Sequence, residues 1–287
     1  MKALAFDIGA THCRLALVTA ASFEVVITGG ANASSNLNHA SKAIIASVNA
    51  LAEKVRIEPS VLTGFPAYLG VAGVINRDVA EALEKRLPFK IIKIEEDRVN
   101  ALKGALGMRD GFLVHCGTGS FFARQRNGIA SFAGGWGSVL DDIASANWLG
   151  VQALQTTLYA EDGLLPHTGM SSALLSEFDG TGGIVAYANR AKATDLGKIA
   201  KTVTQYALQG DEMATGILKN GAAIITEKLS QFGYGENDPI CLTGSVAPEY
   251  KSYLPVTLQS DIVDELGGPL DGAIALAREF YTETESR

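Results

Sequence analysis

Residues 1–14, MKALAFDIGATHCR, set the terms on which the rest of the chain is read. The apolar run Ala3–Phe6 reads as a buried strand that ends on Asp7. Gly9 and Thr11 follow, residue types suited to a tight turn, and a second apolar run, Leu15–Val18, leads away. Backbone N–H groups, one hydroxyl and one carboxylate are therefore offered at a single spot. Such a set suits a magnesium-bound polyphosphate, with the amides and Thr11 on phosphate oxygens and Asp7 on the metal or its waters. Taken alone, the stretch reads better as an ordinary β-hairpin with Asp7 as a turn former, because short glycine motifs are common. The decision rests on whether the chain repeats the pattern.

It does. Phe23–Thr28 is a third strand, and Leu37–Val55 carries apolar residues at helical spacing, Leu37, Ile44, Ile45, Val48 and Leu51. Tyr68–Val74 reads as a buried strand, Arg77–Leu87 as a helix, and Phe89–Ile94 as a strand running into Glu95, Glu96 and Asp97 before the helix Val99–Leu106. The first part is thus β-β-β-α-β-α-β-α. Then Phe112–Cys116 is a strand, Gly117-Thr118-Gly119-Ser120 a turn, and Phe121–Arg124 and Ile129–Phe132 are further strands. After Gly134-Gly135-Trp136-Gly137 the sequence predicts helices over Val139–Leu158, Ser171–Phe178, Ile184–Arg190, Leu196–Gln209 and Met213–Phe232. Strands over Pro239–Thr243 and Val256–Gln259 and a helix over Leu270–Tyr281 complete the reading. A Rossmann fold puts its glycines between a strand and a helix; here both turns join strands. The duplication predicts an α/β protein of two similar lobes with a cleft between them. Residues 1–107 and the helix from 270 to 287 form one lobe, and residues 108–269, with helical additions, form the other.

Composition narrows the function. The 287 residues carry a formal charge of −7 and are 47% hydrophobic, which fits a globular chain with a substantial core. Nothing supplies the basic surface that nucleic-acid binding needs. Cys13, Cys116 and Cys241 are too widely spaced for a disulfide framework or a zinc site, and His12, His39, His115 and His167 show no ligand spacing. The absence of a long apolar span or of a basic, apolar, small-residue leader favours no membrane and a cytoplasmic setting.

Four stretches now align: Asp7-x-Gly9-x-Thr11, Gly117-Thr118-Gly119-Ser120, Leu242-Thr243-Gly244-Ser245, and an acidic residue, Asp97, after a strand. Together they resemble the sugar-kinase, actin and heat-shock ATPase superfamily, whose two ribonuclease-H-like lobes clasp ATP. Gly134-Gly135-Trp136-Gly137 with Asp142, Ser145-Ala146 and Trp148 resembles the GGWG…DEGSA…W stretch of one branch. That branch contains N-acetylglucosamine kinase, glucosamine kinase and the BadF/BadG/BcrA-type activator ATPases. The resemblance spans nearly the whole chain, with the motifs in family order.

The resemblance implies ATP-dependent phosphorylation of an amino sugar, glucosamine or N-acetylglucosamine, at the 6-hydroxyl. It implies Gly9 and Thr11 in one phosphate loop, with Asp7 toward Mg2+, and Gly117, Thr118 and Gly119 in the other. It places Gly244 against the nucleoside and Asp97 as the base that takes the sugar hydroxyl proton. Asn32, Ala72, Gly73, Thr118, Trp136 and Asp142 would line the sugar, and a homodimer paired through the second lobe is in keeping with similar proteins. Each role has a plainer alternative. Asp97 can cap the helix after it, with Glu96 a rival base; Asp142 can cap the next helix; Trp136 can be packing; Cys116 can be a small buried hydrophobe. The family's Asp-Glu-Gly-Ser is Asp142-Ile143-Ala144-Ser145 here, and Ser245 stands where a second glycine is common. The first change removes a sugar or amino-group partner, so the acyl state of the sugar stays open. The rival reading, an activator of a dehydratase or reductase, needs cluster thiolates, and only Cys116 lies near a loop that could supply one. A third reading is an inactive nucleotide-binding regulator.

Overall fold

In the computed structural model, which describes residues 1–286, a strand-rich start gives way to alternating elements and then recurs. The first run comprises β1 (Lys2–Ile8), β2 (His12–Thr19), β3 (Phe23–Gly29), α1 (Leu37–Val55), α2 (Pro59–Leu62), β4 (Ala67–Val71), α3 (Arg77–Glu84), β5 (Ile92–Glu96) and α4 (Asp97–Leu106). The second begins with β6 (Gly111–Cys116), β7 (Ser120–Arg126) and β8 (Ile129–Gly134). It continues through α5 (Ala146–Glu161), α6 (Gly169–Glu177), α7 (Gly180–Ala188), α8 (Ala193–Lys198), α9 (Ala200–Leu208) and α10 (Glu212–Gln231). β9 (Ile240–Thr243), a 3-10 turn (Ala247–Tyr253), α11 (Val256–Ser260) and α12 (Pro269–Glu285) follow. The chain divides into two units, residues 1–109 with the segment from 265 onward, and residues 110–264.

The first unit is built round β1. Its sheet runs β3-β2-β1-β4-β5, with β1 antiparallel to β2 and parallel to β4. Leu4, Phe6 and Ile8 pack on one face with Ile44, Val48 and Leu51 of α1. Ala3 and Ala5 face the other way, and their small side chains admit Ala273, Ile274 and Ala277 of α12. A strand covered on both faces has no tolerance for register slip, since a one-residue shift would exchange the two sets. That register places Asp7 on the α4–α12 side, at the C-terminal end of the strand. Asn36 caps α1 by accepting the His39 N–H at 2.9 Å, and left-handed Arg56 ends it.

The second unit repeats the topology with one strand fewer, β8-β7-β6-β9, and covers it with the apolar faces of α5 and its successors, Leu149, Ala153, Val203 and Ile225 among them. Three sequence readings need correction here. The helix expected from Val139 begins at Ala146, because Gly135, Gly137, Asp142 and Ala144 all hold positive φ and Ser145 then caps the helix by accepting the Trp148 N–H. Leu196–Gln209 is broken into α8 and α9 at Ile199. Val256–Gln259 is not a strand but the short helix α11, launched by Pro255 and anchored by buried Leu258; two β-branched residues misled the reading. In the first unit, the strand expected over Tyr68–Val74 stops at Val71, and that expected over Phe89–Ile94 runs later, to Glu96. Among the described residues no helix is long and apolar enough to cross a membrane.

Candidate active site

In the first unit the turn after β1 is closed by backbone bonds. Gly9 N–H donates to the His12 carbonyl at 2.9 Å, Gly30 N–H to that of Thr11 at 3.0 Å, and Ala31 N–H to that of Gly9 at 3.0 Å. Thr11 is left exposed. The glycine this arrangement requires is Gly30, where a Cβ would lie 2.3 Å from the Gly9 carbonyl oxygen; at Gly9 itself the nearest atom would be 3.8 Å away. Asp7 is buried beneath the turn. Arg14, its cross-strand partner, donates from Nη1 to Oδ2 at 2.8 Å, and Asn100 of α4 donates from Nδ2 to Oδ1 at 3.3 Å.

Asp97 is the first residue of α4. The residue in the cap position is Glu96, so the alternative role of Asp97 as the cap fails, and α4 begins two residues earlier than its apolar pattern suggests. Glu96 is held by Arg98, whose Nε donates to it at 3.0 Å, so its carboxylate is engaged in an ion pair. Burial, reinforced by the charge of Asp7, pushes the Asp97 carboxyl up to about 7. The charge of Arg98 and a hydrogen bond from the Asp97 backbone N–H oppose that rise only in part. A carboxyl group poised near neutrality is suited to exchange a proton.

The loop between β3 and α1 brings Asn32 against Gly73. Ala33 N–H donates to the Ala72 carbonyl at 2.8 Å, and the left-handed Gly73 leaves no room for a Cβ, which would meet Asn32 Oδ1 at 2.2 Å. Asn32 Oδ1 accepts from Ser34 Oγ at 2.8 Å and from Ser35 N–H at 3.1 Å, which fixes the amide. Asp7, Gly9, Thr11, Asn32, Ala72, Gly73 and Asp97 thus gather in one unit, at the carboxyl ends of β1, β4 and β5 and the loops beside them. Ligands of open α/β sheets bind at such strand ends.

In the second unit Gly117 N–H donates to the Gly119 carbonyl at 2.9 Å, and the Gly117 carbonyl accepts the Ala146 N–H at 2.8 Å. Thr118 is exposed at the tip. Left-handed Gly244 presses on this turn; a Cβ there would stand 2.4 Å from the Cys116 carbonyl oxygen. Asp142 does not cap a helix. Its Oδ1 accepts the Ser120 N–H at 3.2 Å and so braces the turn, and burial raises its carboxyl above the usual carboxylate range. Gly117, Thr118, Gly119, Asp142 and Gly244 therefore meet. Trp136 does not join them by packing: it is 65% exposed, in a loop with exposed Val139 and Leu140. Cys116 is a wholly buried thiol whose pKa burial pushes up, as the plainer reading has it.

Arg14, Gly30 and Asn100 are site residues that the sequence reading passed over. Arg14 has a signal, being a cation opposite an acid across a hairpin; Asn100 has none beyond a polar residue on the apolar face of a small-residue helix. His115 also lies under the second turn, with Nδ1 3.0 Å from Thr243 Oγ1 and its pKa lowered to about 4 by burial.

Two sheets of the same β-β-β start, each with a strand–turn–strand loop at its edge, define the actin/hexokinase-like ATPase fold. A glucokinase of the ROK family from Streptomyces griseus, solved with glucose and AMPPNP, shares that fold at a TM-score of 0.56 and 17% identity over 97% of this chain and all (100%) of its own. The BadF/BadG/BcrA/BcrD ATPase family matches residues 6–268, and the chain belongs to it. A Chromobacterium violaceum structure provisionally named an N-acetylglucosamine kinase is similar at a TM-score of 0.84 and 25% identity, covering 96% of this chain and 98% of its own. The glucosamine kinase GspK of Vibrio cholerae is 27% identical over 252 residues, 87% of this chain and 86% of that protein.

Proposed function

We propose that the protein transfers the γ-phosphoryl group of ATP to the 6-hydroxyl of an amino sugar, glucosamine or N-acetylglucosamine. The observation that carries this reading is Asp97, a carboxyl poised at about 7 in the same unit as the Asp7–Thr11 turn and the Asn32–Gly73 loop. In this reading the sugar oxygen attacks the γ-phosphorus, its proton passes to Asp97, and ADP leaves. Such a transfer asks for alignment and charge neutralisation more than covalent chemistry. Asn32, whose Oδ1 is already bonded, offers its Nδ2 to a ring hydroxyl; Gly73 keeps the wall beside it free of side chain; Trp136 offers an exposed ring to an apolar sugar face. In each unit the turn, Gly9 to Thr11 in the first and Gly117, Thr118 and Gly119 in the second, is read as a phosphate loop that offers its exposed threonine hydroxyl, since the Gly9 and Gly117 N–H groups already close the turns; Gly244 lies by the nucleoside, and Asp142 supports the sugar side of the second turn.

The residues fit magnesium. Asp7 is a single hard carboxylate with lone pairs left after its two hydrogen bonds, and no group of three or more His, Cys, Asp or Glu forms a closed cage among the described residues. Magnesium is commonly held by one carboxylate together with phosphate oxygens and waters. When bound it would neutralise charge on the phosphates. The activator reading is not favoured, because Cys13, Cys116 and Cys241 are all buried and Cys116 offers no exposed thiolate to a cluster. A cytoplasmic setting and a homodimer formed through the second unit belong to the same reading.

A coupled assay of ADP release tests it with glucosamine, N-acetylglucosamine, N-acetylmannosamine and glucose. Release well above the sugar-free rate is expected with glucosamine or N-acetylglucosamine. ATP binding without release on any hexosamine would overturn the proposal.

A further inference from the structure

Asn100 is fully buried in α4, and its Nδ2 donates twice, to the Phe6 carbonyl at 3.1 Å and to Asp7 Oδ1 at 3.3 Å. Its Oδ1 has no partner. Turning the amide over would set that oxygen against two acceptors, so the hydrogen-bond chemistry dictates the orientation. A buried acceptor left unbonded is destabilising. Space for the amide is also made at a cost in packing: a Cβ on Gly70 of β4 would lie 2.1 Å from Asn100 Nδ2, so a strand between two others carries a glycine. An apolar side chain at 100 and alanine at 70 would satisfy the core better. The group that benefits from the amide is Asp7.

We infer that Asn100 is a positioning residue for the Asp7 carboxylate. With Arg14 on Oδ2 and Asn100 on Oδ1, both oxygens are held, the rotamer is locked, and the remaining lone pairs keep one orientation in which they would meet a magnesium ion. Asn100 lies one turn along α4 from Asp97, so the same amide ties the helix bearing the base to the strand bearing the metal carboxylate. Partners of this kind orient a metal ligand, and their loss commonly weakens the metal by about 10–100-fold. The inference rests on the reading of Asp7 as the magnesium carboxylate.

The experiment measures Mn2+ affinity of the protein–ADP complex by electron paramagnetic resonance, beside melting temperature. It compares wild type with Asp7→Asn, Asn100→Leu and the pair Gly70→Ala/Asn100→Ala, in which the new Cβ at 70 enters the space the amide leaves. Asn100→Leu and the pair are expected to melt within a few degrees of wild type and yet to bind Mn2+ weaker by about tenfold or more. A merely structural amide predicts instead that a variant with wild-type stability has wild-type metal affinity. Loss of affinity in Asp7→Asn, with less than about tenfold loss in whichever stable Asn100 variant is measured, overturns the role of Asn100 alone. Wild-type affinity in Asp7→Asn overturns the reading of Asp7, and the inference with it.

Discussion

At the end of β1 the chain places a carboxylate whose two oxygens are held by Arg14 and Asn100; at the matching register position of β6 it places His115, whose Nδ1 lies 3.0 Å from Thr243 Oγ1 and whose pKa burial lowers, followed by the wholly buried thiol of Cys116. Both strands turn back through glycine into an antiparallel neighbour, and both pair on their other side with a parallel strand. Backbone plan is shared and chemistry is not. The first unit sets two carboxyl groups, Asp7 and Asp97, at its strand ends, while the second offers the Thr118 hydroxyl, the buried His115 ring and Asp142 as an internal brace. Repeating a turn gives two glycine-bearing strand ends from one folding solution, after which each side chain is free to diverge.

That difference can be broken by substitution. Asp7→Asn should lower kcat/KM for magnesium ATP by about a hundredfold or more, whereas Cys116→Ala should stay within about threefold, as steady-state kinetics of the two variants will show. Equal losses would mean that the turns share their chemistry. Next come the glycines of the first turn. Gly30→Ala drives a methyl into the backbone of Gly9 and should destabilise the protein by about 2–3 kcal/mol in a denaturant titration. Gly9→Ala meets only an ordinary contact at 3.8 Å, so its stability should be nearly unchanged and its loss should fall on activity.

Asp97 adds a test of charge. Its folded pKa of about 7 exceeds the ordinary value of 3.8, so between those values the folded chain holds a proton that the unfolded chain has released. Stability of the ligand-free protein should therefore fall as pH rises through that window. Asp97→Asn, which has no charge to bury, should be more stable than wild type at pH 8 by about 1–3 kcal/mol and little different at pH 4. The smallest effect is expected at Trp136. Because it is exposed, Trp136→Ala should change stability by no more than about 0.5 kcal/mol and raise the sugar KM by only several-fold.

Periodicity carried most of the fold into view. Leu37–Val55 is a helix over the stretch that its apolar spacing marks out, and the alternation of small and large residues in β1 is what two buried faces demand. Local pattern failed where backbone conformation overrode it. Val139 and Leu140 look helical but follow glycines at positive φ, and Val256-Thr257 look extended but follow a proline that starts a helical turn. For the site, motifs with glycine and acid at fixed spacing could be read directly. Gly30 and Asn100 could not, and Arg14 only as a cation facing an acid across a hairpin, since each acts on a residue distant in the chain or across a strand pair, and that pairing exists only once the sheet has formed.

The central claim is that Asp97 is the proton acceptor of an amino-sugar kinase. The pH dependence of kcat, measured with the accepted hexosamine for wild type and Asp97→Asn beside the ADP dissociation constant, tests it most directly. The account predicts a wild-type rate that rises with pH to a plateau, and a variant slower by about 10²–10⁴-fold with no such limb and unchanged ADP binding. A variant that keeps both the limb and a rate within about threefold of wild type would contradict it.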